Sequence, residues 1–351
     1  AKEQYLDTGR FERLGRIQSF KQHEREICWE LREAWDREMA RLGTVSFPDR
    51  LIAARDHARR APKPTYRSAI IDEGQDLTLV GMELIRAMVA GQADSTPVND
   101  NILVMDDSAQ RIYSGGFKPK WAGLDFSSYS EILKVNYRNS KPIFEAAKAV
   151  RGDIIVAKEA NDDGAATDVE FEREEKVLPE LIRTPKGEAP VVKERLRDLV
   201  DNRSFCYDEV AVLTLHNEDA KDLVKYFNRV GVPCTNLQNL RDEPLGRGVR
   251  VGTFDRAKGL EFRAVFIVRV GKSRFPFGDR DKGVDRQLSI DGTEQPVSGK
   301  ERELRQLRLD RLYAAMTRAR DRLYVISDED PCDEILQSRQ RFQALGASLG
   351  W

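Results

Sequence analysis

Paired cysteines are missing from this sequence. Cys28, Cys206, Cys234 and Cys332 lie far apart with no CxxC pair, and only three histidines accompany them. A zinc ribbon or finger is not expected, and neither is a disulfide framework. No apolar run reaches the roughly 18 residues a spanning helix needs, so no membrane role is read here. The N-terminus lacks the charge, apolar stretch and small residues of a signal peptide. An excess of one charge is missing too. There are 58 basic and 59 acidic side chains, a net charge of −1. The chain as a whole is therefore no histone-like DNA binder, and any nucleic-acid contact must come from local patches. There is no internal repeat and no low-complexity tract. These absences read as a soluble, cytoplasmic protein. What is present suits two globular domains: 351 residues, 40% hydrophobic and 33% charged. The first residue is Ala, not Met, which points to a fragment of something longer.

Apolar periodicity sets the organisation. Ile27, Leu31, Ala34, Trp35, Met39 and Leu42 repeat as one helix face, closed by Gly43, and a shorter helix is expected over about 47–60. Arg55, Arg59, Arg60, Lys63 and Arg67 then concentrate positive charge, either as a solvated helix end or as a phosphate-contacting patch. From Ser68 the pattern changes to α/β. Strands are expected at 68–71, 101–105 and 132–135, with a helix at about 78–90. The segment 152–190 reads as a connection of low order with one strand at 168–172. Strands follow at 210–213, 249–253, 265–268 and 323–326, and helices at 217–229, 300–319 and 333–345. The stretch 271–299, polar and Gly-rich, reads as a mobile loop. Two α/β units with parallel sheets thus follow a helical piece, and sites in such sheets are expected at the carboxyl ends of strands.

Several segments carry chemistry. Asp72-Glu73-Gly74-Gln75-Asp76 directly follows a strand. Its first two carboxylates suit a metal-nucleotide site, Asp72 holding Mg²⁺ through waters and Glu73 orienting or deprotonating an attacking water. An acidic turn capping the next helix, with Asp76 and Thr78 as caps, is the alternative. Gln110 follows the second strand. Asn136-Tyr137-Arg138 follows the third, offering a planar fork for phosphate oxygens and a ring face for a base. In the turn Thr253–Phe262, Gly259 permits a tight bend, from which Lys258 and Glu261 project. Arg318 and Arg320 end a long helix. They either reach across a cleft or sit at a helix C-terminus, where cations are favoured.

DEGQD, then QRIY at 110–113, NYR at 136–138, TFDRAKGLEF at 253–262 and RLYAAMTRAR at 311–320 stand in an order that resembles motifs II to VI of the UvrD/Rep-like superfamily 1 DNA helicases. The resemblance covers about 65–330. It implies RecA-like P-loop NTPase folds: 1–64 as a helical region, 65–135 as the C-terminal part of domain 1A, and 136–351 as domain 2A with a reduced or absent 2B insertion. It implies ATP and Mg²⁺ between the two domains and single-stranded DNA as partner, usually traversed 3′ to 5′. By resemblance, Asp72 binds the metal and Glu73 is the catalytic base. Gln110 senses the γ-phosphate, Tyr137 stacks on adenine, and Arg138 touches the γ-phosphate. Glu261 holds the ribose, Gly259 and Lys258 shape that turn, and Arg318 is the second arginine finger. Thr253, Lys258 and Phe117 are candidate DNA contacts.

The departures matter as well. No GxxxxGK[ST] loop exists; the only Gly-Lys-Ser, at 271–273, has Phe266 where the first Gly belongs. The expectation is that the Walker A region of the same polypeptide is missing from this chain, which alone is then inactive. Asp106-Asp107 stands for the family's Gly-Asp, Gly115 stands where a base-stacking tryptophan is expected with Phe117 nearby, and Asp255 stands for a frequent His. Asp255 is expected to repel the DNA backbone. The stretch from Arg138 to Thr253 is too short for a large 2B insertion. A reading from another class stays open: a helicase-like module that binds nucleic acid or protein without hydrolysing ATP.

Overall fold

The computed structural model describes residues 2–7, 21–90, 101–106, 119–126, 130–151, 169–173, 177–202, 205–239, 247–277 and 298–336. The chain divides into two units, 1–131 with 289–303, and 132–288 with 304–351.

In the first unit, helices α1 (Lys2–Leu6), α2 (Gln22–Arg41) and α3 (Phe47–Arg60) precede strand β1 (Ala69–Ile71), helix α4 (Leu79–Ala90) and strand β2 (Ile102–Val104). Helix α3 begins where Ser46 accepts a hydrogen bond from the Asp49 amide, with Pro48 in the first turn. Strands β1 and β2 pair in parallel, Ile70 opposite Leu103. One face of the ribbon packs on α4: Ile71 and Ile102 meet Met82, Val89, Ala90, Ala122 and Leu124. On the alternate positions Ile70 is 74% and Leu103 54% exposed. The basic cluster is in part structural, since Arg55 pairs with Glu83 of α4 at 2.7 Å and Arg59 reaches the same carboxylate at 3.7 Å. Helix α2 forms with the expected periodicity, but Leu31 (64%), Trp35 (57%) and Leu42 (55%) on that face are exposed.

The second unit holds strands β3 (Val135–Asn136), β4 (Glu170–Phe171), β5 (Glu180–Arg183), β6 (Val210–Thr214), β7 (Cys234–Asn236), β8 (Val249–Thr253), β9 (Phe262–Val268) and β10 (Ala319–Ser327). Its helices are α5 (Lys141–Arg151), α6 (Glu188–Asn202), α7 (Asn217–Arg229) and α8 (Ser298–Met316), the last starting at residues assigned to the first unit. Six strands form an all-parallel sheet in the order β5-β10-β9-β6-β8-β7. The central strands are near-continuous apolar runs, as strands covered on both faces must be. On one face Val210, Val212, Val249, Val251, Phe266 and Ile326 pack against Leu196 and Leu199 of α6 and Leu223 and Phe227 of α7. Ala211, Leu213, Val265 and Ile267, on the alternate positions, are equally buried.

Two expectations change, and a third is described only in part. The apolar run 132–135 is not a strand along its length: Ile132 is 43% and Leu133 89% exposed, and only Val135 and Asn136 pair. Their partner is β4, in a small sheet of its own. Of the segment 152–190, the described residues hold the expected strand as β4 and, beyond that expectation, β5 and the start of α6. Of the expected last helix, 333–336 are helical, and 337–345 lie outside the described residues.

Candidate functional site

In the first unit, β1 delivers the chain into the Asp72–Asp76 turn. Asp72 is exposed and its Oδ1 accepts the Glu73 amide at 2.9 Å. Glu73 takes a left-handed backbone, φ 54° and ψ 43°, uncommon for a residue with a side chain. The turn is pressed onto β2: the Gly74 amide donates to the Met105 carbonyl at 2.9 Å, and a Cβ on Gly74 would stand 2.5 Å from Val104 Cγ1. Glycine is therefore required by close approach. Gln75, 7% exposed, donates its side-chain amide to Glu73 Oε2 at 2.5 Å. The donor set suits Mg²⁺, which is commonly held by one or two carboxylates, waters and substrate phosphates. Gln110 and Phe117 lie outside the described residues.

In the second unit, three distant segments converge. Asn136 ends β3, and its side-chain oxygen accepts the amides of Arg138 (3.0 Å) and Asn139 (2.9 Å), a turn that asparagine favours. The turn leaves Tyr137 67% exposed. It aims Arg138 Nε at Glu261 Oε1, 2.5 Å away across 123 positions of sequence. The buried Asn139 amide donates to the carbonyls of Thr317 (2.9 Å) and Ala319 (2.6 Å), on either side of Arg318. The Phe262 amide donates to the Arg318 carbonyl at 3.0 Å. Gly259, at φ +76°, turns the chain just before Glu261. Arg318 itself is 1% exposed, with Nε on the Ala314 carbonyl at 2.9 Å, which is the helix C-terminal arrangement.

The location differs from the expected carboxyl ends. Glu261 and Arg318 immediately precede β9 and β10, at the amino edge of the sheet. Thr253 ends β8 at the carboxyl edge, 6% exposed, and Lys258 lies between the two edges, half-buried. The reason is topological. The segment joining the parallel strands β8 and β9 must carry the chain from one edge to the other, so its last residues arrive at the amino side.

Residues 235–330 match the family model of the UvrD-like helicase C-terminal domain. The matched span contains Thr253, Lys258, Gly259, Glu261 and Arg318. A Mycoplasma pneumoniae protein described as a probable DNA helicase is 24% identical over 268 residues, covering 74% of this chain and 43% of the relative. The chain thus spans less than half the length of that relative. A solved structure, the C-terminal domain of a possible DNA helicase from Lactobacillus plantarum WCFS1, is 19% identical, covers 59% of this chain and 96% of that one, and superposes with a TM-score of 0.39.

Within the matched span, Asp255 does not stand as a bare charge. Its Oδ1 lies 3.2 Å from Arg311 Nε of α8, close enough for charge pairing though not aligned as a hydrogen bond. Burial pushes the Asp255 carboxyl up, against the pull of Arg311, Arg256 and Lys258. The charge of that carboxylate is therefore offset by a cation the sequence places 56 positions away. Sequence reading also passed over Asn139, whose two bonds bind the NYR turn to the end of α8. A polar residue directly after a motif was its only signal.

Proposed function

We propose that the chain is a portion of an ATP-dependent DNA helicase or translocase, in which ATP hydrolysis drives movement on single-stranded DNA in the 3′ to 5′ direction. The observation that carries this reading is the meeting of Arg138, Glu261 and the Thr317–Ala319 backbone at one sheet edge, from segments far apart in sequence. A fork for phosphate, a carboxylate for ribose hydroxyls and the exposed Tyr137 ring beside them suit a nucleotide. The name of the Mycoplasma relative and the matched helicase domain support DNA as the track.

On this reading each residue has a defined task. Mg²⁺, when bound, screens the phosphate charge and orients the nucleotide. Asp72 holds the waters around it, and Glu73 takes a proton from the attacking water. Arg138 stabilises charge on the phosphate. For Arg318 to do the same, its guanidinium, 1% exposed, has to be uncovered. Thr253 and Lys258 contact the DNA backbone. The Walker A loop is supplied by a region of the same polypeptide outside this sequence. Two observations support that: the greater length of the Mycoplasma relative, and the uncovered Ile70 and Leu103 face of the β1–β2 ribbon, because parallel sheets are covered on both faces.

The test is steady-state ATP hydrolysis by the full-length polypeptide, with and without single-stranded DNA. DNA-stimulated turnover that falls by about 10²- to 10⁴-fold in Glu73→Gln is expected of a general base. Turnover indifferent to DNA, or to Glu73→Gln, would sink the reading.

A further inference from the structure

We infer that Gln75 is a positioning residue for Glu73, fixing the carboxylate that activates the attacking water. The inference rests on the proposed ATPase reading and adds to it a residue that the motif roles leave unassigned. Glu73 sits on a left-handed backbone at the mouth of the Asp72–Asp76 turn. Three contacts fix that backbone and the start of the side chain: Asp72 Oδ1 accepts its amide, Gly74 is pressed onto Val104, and the Gly74 amide is bonded to the Met105 carbonyl. None of them sets the direction of the carboxylate. A glutamate has three side-chain torsions beyond a fixed Cα, and a base must lie within hydrogen-bond reach of the proton it takes.

Gln75 supplies a constraint of that kind. Its own side chain is immobilised by burial, at 7% exposure, and its Nε2 donates to Glu73 Oε2 at 2.5 Å. One oxygen of Glu73, Oε2, is thus held by a neutral donor. The division of labour follows the chemistry of the two ends: a neutral amide donor orients the carboxylate and carries no proton itself. Methionine at 75 would keep the volume and remove the donor, and glutamate would keep the shape and set a like charge against Glu73.

The experiment uses the full-length polypeptide and compares wild type, Gln75→Met, Gln75→Glu, Glu73→Gln and the double variant Glu73→Gln/Gln75→Met. Gln75→Met should lower kcat by about 10- to 100-fold, the effect of misplacing a catalytic group by about an ångström, while KM for ATP moves less than about threefold. Gln75→Glu should lower kcat further. In the Glu73→Gln background, Gln75→Met should have no additional effect on kcat, because the base it positions is gone. A kcat unchanged in Gln75→Met overturns the inference. So do a rise in KM matching any loss, and full additivity in the double variant, each of which marks a role in binding or packing instead. If Gln75→Met unfolds, Gln75→Glu carries the same comparison. Wild-type turnover insensitive to Glu73→Gln removes the ATPase reading itself. Turnover sensitive to Glu73→Gln but not to either Gln75 variant removes only the positioning role.

Discussion

Replacing Glu188 by glutamine should make the stability of the second unit less sensitive to pH. Glu188 opens α6 and is 2% exposed. Its Oε1 accepts the Arg269 amide at 3.0 Å, and its Oε2 lies 3.2 Å from Arg269 Nε. Asp328 and Arg274 are the other charges that act on it. Burial dominates and pushes the carboxyl up from 4.5 to about 7, against the pull of Arg269. The folded state therefore binds the Glu188 proton more readily than the unfolded chain does. Between about pH 4.5 and pH 7 stability falls as pH rises, by up to about 1.4 kcal/mol per unit. Over the full interval the swing amounts to about 3 kcal/mol. Glutamine stays neutral throughout and keeps an oxygen for the Arg269 amide. Relative to wild type, Glu188→Gln should gain about 3 kcal/mol on going from pH 4.5 to above pH 7.5. Urea denaturation of both proteins, followed by circular dichroism between about pH 5 and 8, measures the difference, in which every other titrating group cancels. A gap that does not change with pH refutes the reasoning. A gap that moves against glutamine as pH rises would show that the Arg269 ion pair outweighs the cost of burial.

Three further outcomes are expected. The 351-residue chain alone should hydrolyse ATP only at background, because the phosphate cradle and its lysine are absent from the sequence; turnover lost in Glu73→Gln would overturn that. Gly74→Ala should cost about 1–3 kcal/mol through its clash with Val104, and Val104→Ala in the same chain should recover part of the loss, as read by thermal melting. Single-stranded DNA binding by the chain should be weak and fall steeply with salt, and Asp255→Asn should change it less than about threefold, since Arg311 already balances that charge; titration at two salt concentrations checks both.

The legible parts of the fold were those whose burial is strongest. Val210–Thr214 and Val249–Thr253 are buried throughout, and α7 carries Ala220, Leu223 and Phe227 at helical spacing, so pattern and structure agree there to within a residue. Edge strands were not legible. Strand β5 reads Glu-Leu-Ile-Arg and β7 reads Cys-Thr-Asn, and neither needs a continuous apolar run because one side lies open. Helix α2 shows the reverse. Its periodicity was read correctly, yet periodicity states only which residues share a face, and Leu31 and Trp35 remain exposed. At the site, residue types at motif spacing led to Arg138 and Glu261. The pairing of those two side chains, the buried position of Arg318 and the Asp255–Arg311 contact depend on tertiary approach, which no local pattern encodes.

The Arg138–Glu261 pair means that the amino edge of the second sheet carries its own counter-ion. Within the pair the two charges cancel, so Arg138 exerts less long-range attraction on chloride, free phosphate or other small anions than a lone arginine would. An anion that takes Arg138 leaves Glu261 facing water alone, and gains little over the partner it displaces. A ligand that brings hydroxyl donors together with its negative charge satisfies both halves at once. An ion pair of this kind acts as a filter on composition: it asks of a ligand two complementary groups a fixed distance apart, and a single charge does not meet that demand.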